Sequence, residues 1–343
     1  MNTIVIGGAG FVGSWVVDEI LASSLGEVFI IDNLLSSEKS NIALNPRVHF
    51  IKGTASSEKF LNQVDAPINR IFHLACFHGN QSSIHDPLQD LENSLKPTLS
   101  VLNWTEKNFP RARVVYTGAG CAVAPKTWDR PTGVPEIDET PLLHDSPYSI
   151  SKVTGEMYAK YFAERRGLDV VRVRFQNAYG PKEILGAGRW RGTSHTVWRN
   201  VIPTFIWKAL NNQDLILYGS GESSRDFVYA GDLAKGVIAA AESGIKGEVY
   251  NLASGEETLI KQLAQKIITY CNSESKLLLE GRRDWDHSGR RFGDPTKSEK
   301  EINFKTRTDL DEGLKLTIKW SIENLNLIQK NINRHRDNLE VTK

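Results

Sequence analysis

The stretch TIVIGGAGFVGSWVVDEIL (3–21) admits few folds. Thr3 and three apolar residues, Ile4 to Ile6, read as a buried strand, Gly7, Gly10 and Gly13 are spaced for a tight turn with close backbone approach, and an apolar run at helical spacing follows. The same rhythm recurs through EVFIID (27–32), VHFIKG (48–53), RIFHLA (70–75), RVVYTG (113–118) and VVRVRF (170–175), with helices expected near 11–24, 88–108 and 149–166. Near-continuous apolar strands separated by helices imply a parallel sheet covered on both faces, a doubly wound α/β fold.

After residue 176 the rhythm changes to a Gly/Arg/Trp-rich stretch, PKEILGAGRWRGTSHTVWRN (181–200), followed by shorter helical and strand segments. The expected organisation is a Rossmann domain over 1–176, to which 226–250 returns, a smaller substrate lobe over 177–325, and a polar tail over 326–343. Tryptophans in the insert 186–199 pack the lobe or shape a site for a bulky or acidic ligand.

A chain of 343 residues with 42 basic and 41 acidic residues, net charge +1, has no basic footprint for nucleic acid. No apolar run approaches the roughly 20 residues of a membrane span. Three scattered cysteines, Cys76, Cys121 and Cys271, build neither a disulfide framework nor a zinc site, so no metal is expected. The opening MNTIVIGG runs straight into a strand without a signal-peptide pattern, and a cytoplasmic location is expected.

The strand, the glycine turn and the helix agree with an acid at the end of the next strand, Asp32, in the fingerprint of a dinucleotide site. The helix N-terminus faces the pyrophosphate. Asp32 accepts from the adenosine ribose hydroxyls and repels a 2′-phosphate, which favours NAD over NADP. In SPYSISK (146–152), Tyr148 and Lys152 lie four apart on one helical face, where an ammonium near the phenol favours the phenolate and lets it act as a base.

The ordered series GGAGFVG, Asp32-Asn33, HLA (73–75), Asn93, YSISK, RFQNAYGP (174–181), NVIP (200–203), SSRDFVYAGDLA (223–234), YNLASGEE (250–257) and EGLKLTIKW (312–320) resembles the extended short-chain dehydrogenase/reductase family over nearly the whole chain, specifically its nucleotide-sugar epimerases and dehydratases. The resemblance implies catalysis by Tyr148 and Lys152, and an NAD site built from Gly7, Gly10, Phe11, Val12, Gly13, Asp32, Asn33, Leu74, Ala75 and Asn93. It implies a nucleoside-diphosphate sugar held by Ala119, Asn177, Asn200, Val201 and Arg225, with Arg290 or Arg291 as a second phosphate contact, and a homodimer built on two helices per subunit.

Four departures matter. Thr54 stands where relatives have an aspartate near adenine. Ala119 replaces the serine or threonine that hydrogen-bonds the reacting hydroxyl, leaving Thr117, two residues earlier on the same strand face, as the nearest substitute. Gly120 and Cys121 replace the acidic pair of 4,6-dehydratases. Cys121 also matches the acid/base cysteine of 3,5-epimerases, but Asn200 replaces the second proton carrier such enzymes place before Ile202-Pro203. The expected activity is C4 epimerisation, with 3,5-epimerisation, 4-keto-sugar reduction or dehydration as alternatives, and a non-catalytic NAD sensor as the remote one.

Overall fold

The computed structural model describes residues 1–140 and 142–341. Seven strands form one sheet in the order Val249–Leu252, β6 (Asp169–Phe175), β5 (Arg113–Ala119), β4 (Arg70–His73), β1 (Thr3–Ile6), β2 (Val28–Asp32) and β3 (Val48–Lys52). Every neighbouring pair is parallel. This is the doubly wound architecture expected from the strand pattern.

Alternating side chains feed two cores. Ile4, Ile6, Ile31 and Val114 pack on one face with Leu102, Trp104 and Phe162. Val5, Ile30, Phe72 and Val115 pack on the other with Val17, Leu233 and Val237. The latter pair belongs to helix α4 (Ala230–Ser243), which lies on the same layer as helix α1 (Phe11–Ser23) before the chain enters the seventh strand. Strand order reverses between β1 and β4, and the crevice beyond their carboxyl ends is where such sheets bind ligands.

The segment 87–108 is helical throughout but changes register. Leu91–Leu95 forms a π-helical turn before helix α2 (Lys96–Asn108). Pro97 has no amide to give the preceding turn, and the wider turn absorbs that loss. It also presents Asn93 towards Asn33, whose Nδ2 donates to Asn93 Oδ1 at 3.1 Å.

The polar tail expected over 326–343 is corrected by the structure for residues 326–341, 342 and 343 lying outside the described residues. Helix α5 (Leu325–Asn333) and a short helix, Arg336–Val341, continue the fold. Leu325, Ile328 and Ile332 recur at helical spacing and pack against Val197, Trp190, Trp198, Trp207 and Trp320. The tryptophans of the insert therefore have a packing role, and without their partner the helix reads as merely polar.

The same partnership closes a strap over the loop that follows β2. Arg334 Nη1 donates to Glu38 Oε1 at 2.5 Å and to the Gly188 carbonyl at 3.2 Å, while the Gly188 amide donates to Glu38 at 3.1 Å. The Arg189 amide reaches the Leu35 carbonyl at 2.9 Å, and Arg199 Nη1 reaches the Ser36 carbonyl at 3.2 Å. Gly188 is required here: its φ is +86°, and a Cβ would stand 2.2 Å from the Leu35 oxygen. Among the described residues no helix is long and apolar enough to cross a membrane.

Candidate active site

A cavity of about 650 Å³ runs from the glycine turn, past Tyr148, into the lobe beyond residue 176. At one end, Gly7 has φ +83° and lies so close to β4's extension that a Cβ would come within 2.8 Å of the Ala75 amide. At Gly13 a Cβ would stand 2.1 Å from the Gly7 carbonyl oxygen, so α1 can start directly on the turn and aim the amides of its first turn into the cavity. Asp32 is buried and accepts from the Ala9 amide at 3.1 Å, the Leu34 amide at 2.8 Å and Ser37 Oγ at 2.7 Å. Burial pushes its carboxyl up, and these donors oppose the shift. Oδ2, with one partner, retains capacity for a hydroxyl. Gly10, Phe11, Val12, Asn33, Leu74, Ala75 and Asn93 border the same end. These features fit a dinucleotide: glycines where side chains would collide, an anion-favouring helix start, and an acceptor at the strand end.

Helix α3 (Pro147–Arg165) carries Tyr148 and Lys152. It begins where Ser146 Oγ accepts from the Ser149 amide at 3.3 Å and Pro147 supplies the first helical φ. Its start is pinned to the segment after β4 by Ser146 to Asn80, the Tyr148 amide to Ser83, and Ser151 to Asp90. Its middle is pinned to β6 by a buried ion-pair cluster, with Glu156 meeting Arg174 at 2.5 Å and Arg172 at 3.3 Å. The spacing VVRVRF gave no hint that both arginines face inward.

Lys152 is buried and donates to the Thr117 carbonyl at 2.8 Å, with Nζ 5.9 Å from the Tyr148 ring centroid. Tyr116 donates to the Lys152 carbonyl at 3.0 Å, tying α3 to β5. Tyr148 packs among Ala119, Cys121, Ala122, Val123 and Val153. Burial, reinforced by the nearby Cys76 and Cys121, pushes its phenol well above the ordinary range.

Two expectations are corrected. Thr117 borders the cavity, yet its hydroxyl proton goes to the His73 carbonyl at 2.8 Å and the residue is 2 % exposed. It ties β5 to β4 and is not a free donor beside Tyr148. Arg290 forms a bidentate pair with Glu257, 2.7 and 2.8 Å, and does not border the cavity. The Arg290 amide is taken by Thr127 and the Arg291 amide by Ser224, and this backbone course brings Arg291, not Arg290, to the cavity.

Arg225 lines the cavity, held by the carbonyls of Ser224 and Gly289 and by Ser288 Oγ. Burial, with Arg291 nearby, lowers its pKa to about 9, and Asp286 lies 3.9 Å from its guanidinium. Asn177 and Val201 also border the cavity. Asn200 does so with its side chain already engaged, between Glu183 and His78. Thr54 turns its hydroxyl to Ser56 at 2.9 Å.

Ala119 brings no hydroxyl, and at Gly120 any Cβ would stand 2.1 Å from the Gln176 amide nitrogen. Gln176 therefore fills the space in which a carboxylate side chain would have to start. Sequence reasoning missed Gln176, Glu183 and His78. His78 was findable, since it follows the carboxyl end of β4, but Glu183 lies in no recognisable motif. Among the described residues no His/Cys/Asp/Glu group is arranged to hold a metal ion.

Residues 3–253 match the family model described as the NAD dependent epimerase/dehydratase family. The Bordetella bronchiseptica enzyme WbmF, crystallised with NAD+ and UDP, superposes with a TM-score of 0.89 at 44% identity, covering 99% of this chain and 98% of that one. A putative UDP-glucose 4-epimerase of Methanocaldococcus jannaschii is 29% identical over 94% of this chain and 98% of its own length. A UDP-N-acetyl-alpha-D-glucosaminuronate decarboxylase of Bacillus cytotoxicus is also 29% identical, over 94% of this chain and 98% of its own length.

Proposed function

Because the chain belongs to the NAD dependent epimerase/dehydratase family, an NAD-dependent group of nucleotide-sugar-modifying enzymes, we propose that it interconverts C4 epimers of a nucleoside-diphosphate sugar through a transient 4-keto sugar. The observation that carries this reading is the combination of Tyr148 and Lys152 with the bare face opposite them. Ala119, Gly120 and Cys121 supply no carboxylate, and Gln176 occupies the space above Gly120. Elimination of water needs an acid there. Glu183, although it borders the cavity, has one oxygen on Asn200 and the other buried.

NAD, when bound, supplies the hydride acceptor and the hydride donor of the cycle. Tyr148 takes the proton of the sugar 4-hydroxyl and later returns it. Lys152, fixed by the Thr117 carbonyl, holds positive charge beside the phenol and favours its ionised form. Arg225 and Arg291 grip the diphosphate, so the sugar can turn about that linkage and offer its other face. UDP in the WbmF complex supports uridine as the nucleotide. Ile150, Met157 and Tyr161, exposed at helical spacing on α3, support a homodimer built on that helix.

The test is incubation of the purified protein with UDP-, GDP-, CDP- and dTDP-sugars. The expected product is a C4 epimer, formed without added NADH. A stable keto-deoxy sugar, release of CO₂ from a uronate, stoichiometric consumption of NADH, or solvent deuterium at C3 or C5 would overturn it.

A further inference from the structure

Behind the sugar end of the cavity runs a chain of three polar side chains. His78 meets the Tyr148 ring edge-on, centroids 6.4 Å apart. Its Nε2 lies 3.3 Å from Asn200 Oδ1, and Asn200 Nδ2 donates to Glu183 Oε1. Glu183 is 5 % exposed, and its Oε2 has no partner among the described residues.

The chain has a direction. An ionised carboxylate can only accept, so Asn200 must turn its amide nitrogen to Glu183 and its oxygen to His78. That oxygen demands a proton on Nε2. His78 is enclosed beside Arg199 and Arg191, and burial with these cations lowers its pKa to about 3, so the ring is neutral and carries a single proton. The ring's hydrogen bond to Asn200 uses Nε2, and His78 borders the cavity, so Nδ1 is then a bare acceptor.

We propose that His78 is the specificity-determining side chain of the sugar site, its Nε2–H tautomer fixed by Asn200 and Glu183 so that Nδ1 receives a hydrogen-bond donor of the sugar, a hydroxyl or the N–H of an acylamino group. A keto or carboxylate oxygen at that point would meet a lone pair. Asn200 and Glu183 are positioning residues that act through His78. This inference rests on the nucleotide-sugar reading above.

Two measurements on the NAD-loaded protein test it, both at pH 8, above the value of about 7 to which burial raises Glu183. Long-range ¹H–¹⁵N spectra of histidine-labelled protein, with His78 assigned by its loss in His78→Phe, are expected to show protonated Nε2 and bare Nδ1. Glu183→Gln, whose amide can both donate and accept, is expected to admit the other tautomer. Binding of UDP-glucose, UDP-N-acetylglucosamine and the 2-, 3- and 6-deoxy analogues of UDP-glucose is then compared between wild type and His78→Phe. One deletion is expected to weaken wild-type binding about tenfold and the variant less than about twofold. The two parent sugars show whether hydroxyl or acylamino nitrogen is preferred. A wild-type Nδ1–H tautomer, or deletions that cost both proteins equally, would overturn the proposal. Should His78→Phe not fold, loss of sugar discrimination in Glu183→Gln replaces the second arm, and unchanged discrimination overturns it. Failure of every nucleotide sugar to bind would remove the substrate reading itself, whereas binding without coupling removes only this inference.

Discussion

In the proposed reaction Tyr148 is asked to lose a proton in surroundings that oppose it. Burial and the two neighbouring thiols raise its pKa, and the compensating positive charge on Lys152 lies about a ring's width away. Ionisation is therefore favoured when substrate and the cationic nicotinamide complete the site, which protects the resting protein from carrying a buried phenolate. Ala119 and Thr117 offer no free hydroxyl to share the load. Tyr148→Phe is expected to lower kcat by about a thousandfold, with NAD content and melting temperature unchanged. Retained turnover in steady-state assays would remove Tyr148 from the mechanism. What was legible at this scale follows from periodicity. Glycine spacing, an acid at a strand end and a tyrosine–lysine pair one helical turn apart are local patterns. The orientation of Thr117 and the choice between Arg290 and Arg291 are decided by partners 44 and 33 residues away, His73 and Glu257, which no local pattern contains.

At the scale of elements, α3 matters most, since it holds both proposed catalytic groups and Glu156 seats it on the sheet. Glu156 lies one turn beyond Lys152 and pairs with Arg174 and Arg172, whose side chains are 2 and 4 % exposed; Arg172 also meets Asp138 at 2.9 Å, whereas Arg174 has Glu156 as its carboxylate partner. Removing the charge leaves the buried Arg174 guanidinium facing a neutral partner. Glu156→Gln is expected to destabilise the fold by about 3–5 kcal/mol, read from urea unfolding, and to lower activity by letting α3 shift. A loss below about 1 kcal/mol would mean that the cluster is not what seats the helix. The sequence reads β6 correctly as a strand but as an apolar one. Arginine is almost never buried alone, and its counter-ion is on another element. For the same reason α5 passed for a tail: Ile328 and Ile332 become core residues only beside the tryptophans of the insert.

For the whole molecule, Glu183 links the site to stability. Burial raises its carboxyl from 4.5 to about 7. Between those values the folded chain keeps a proton that the unfolded chain has released, so the contribution of this group to stability is present below about pH 4.5 and lost as pH rises through 7. Relative to Glu183→Gln, wild type is expected to lose about 3 kcal/mol between pH 5 and pH 8, measured as paired urea midpoints. A difference independent of pH would show that the carboxyl titrates normally. The doubly wound frame, by contrast, was readable through β1 to β6, because each is mostly apolar and each turn is punctuated, whereas the seventh strand, Val249–Leu252, was not read as one.

The clasp of Glu38 by Arg334 and Gly188 holds the loop after β2, whose Leu35, Ser36 and Ser37 line the cavity where the proposed nucleotide would lie. The proposed epimerisation would hand the hydride back, so nothing would be gained by letting the nicotinamide exchange with the cell's pool. A resident nucleotide also frees the reaction from the cellular ratio of oxidised to reduced carrier. On that reading the vulnerability lies in α5: a protease that clipped it would leave Tyr148 and Lys152 intact, and the expected result is lost activity through release of the loop after β2.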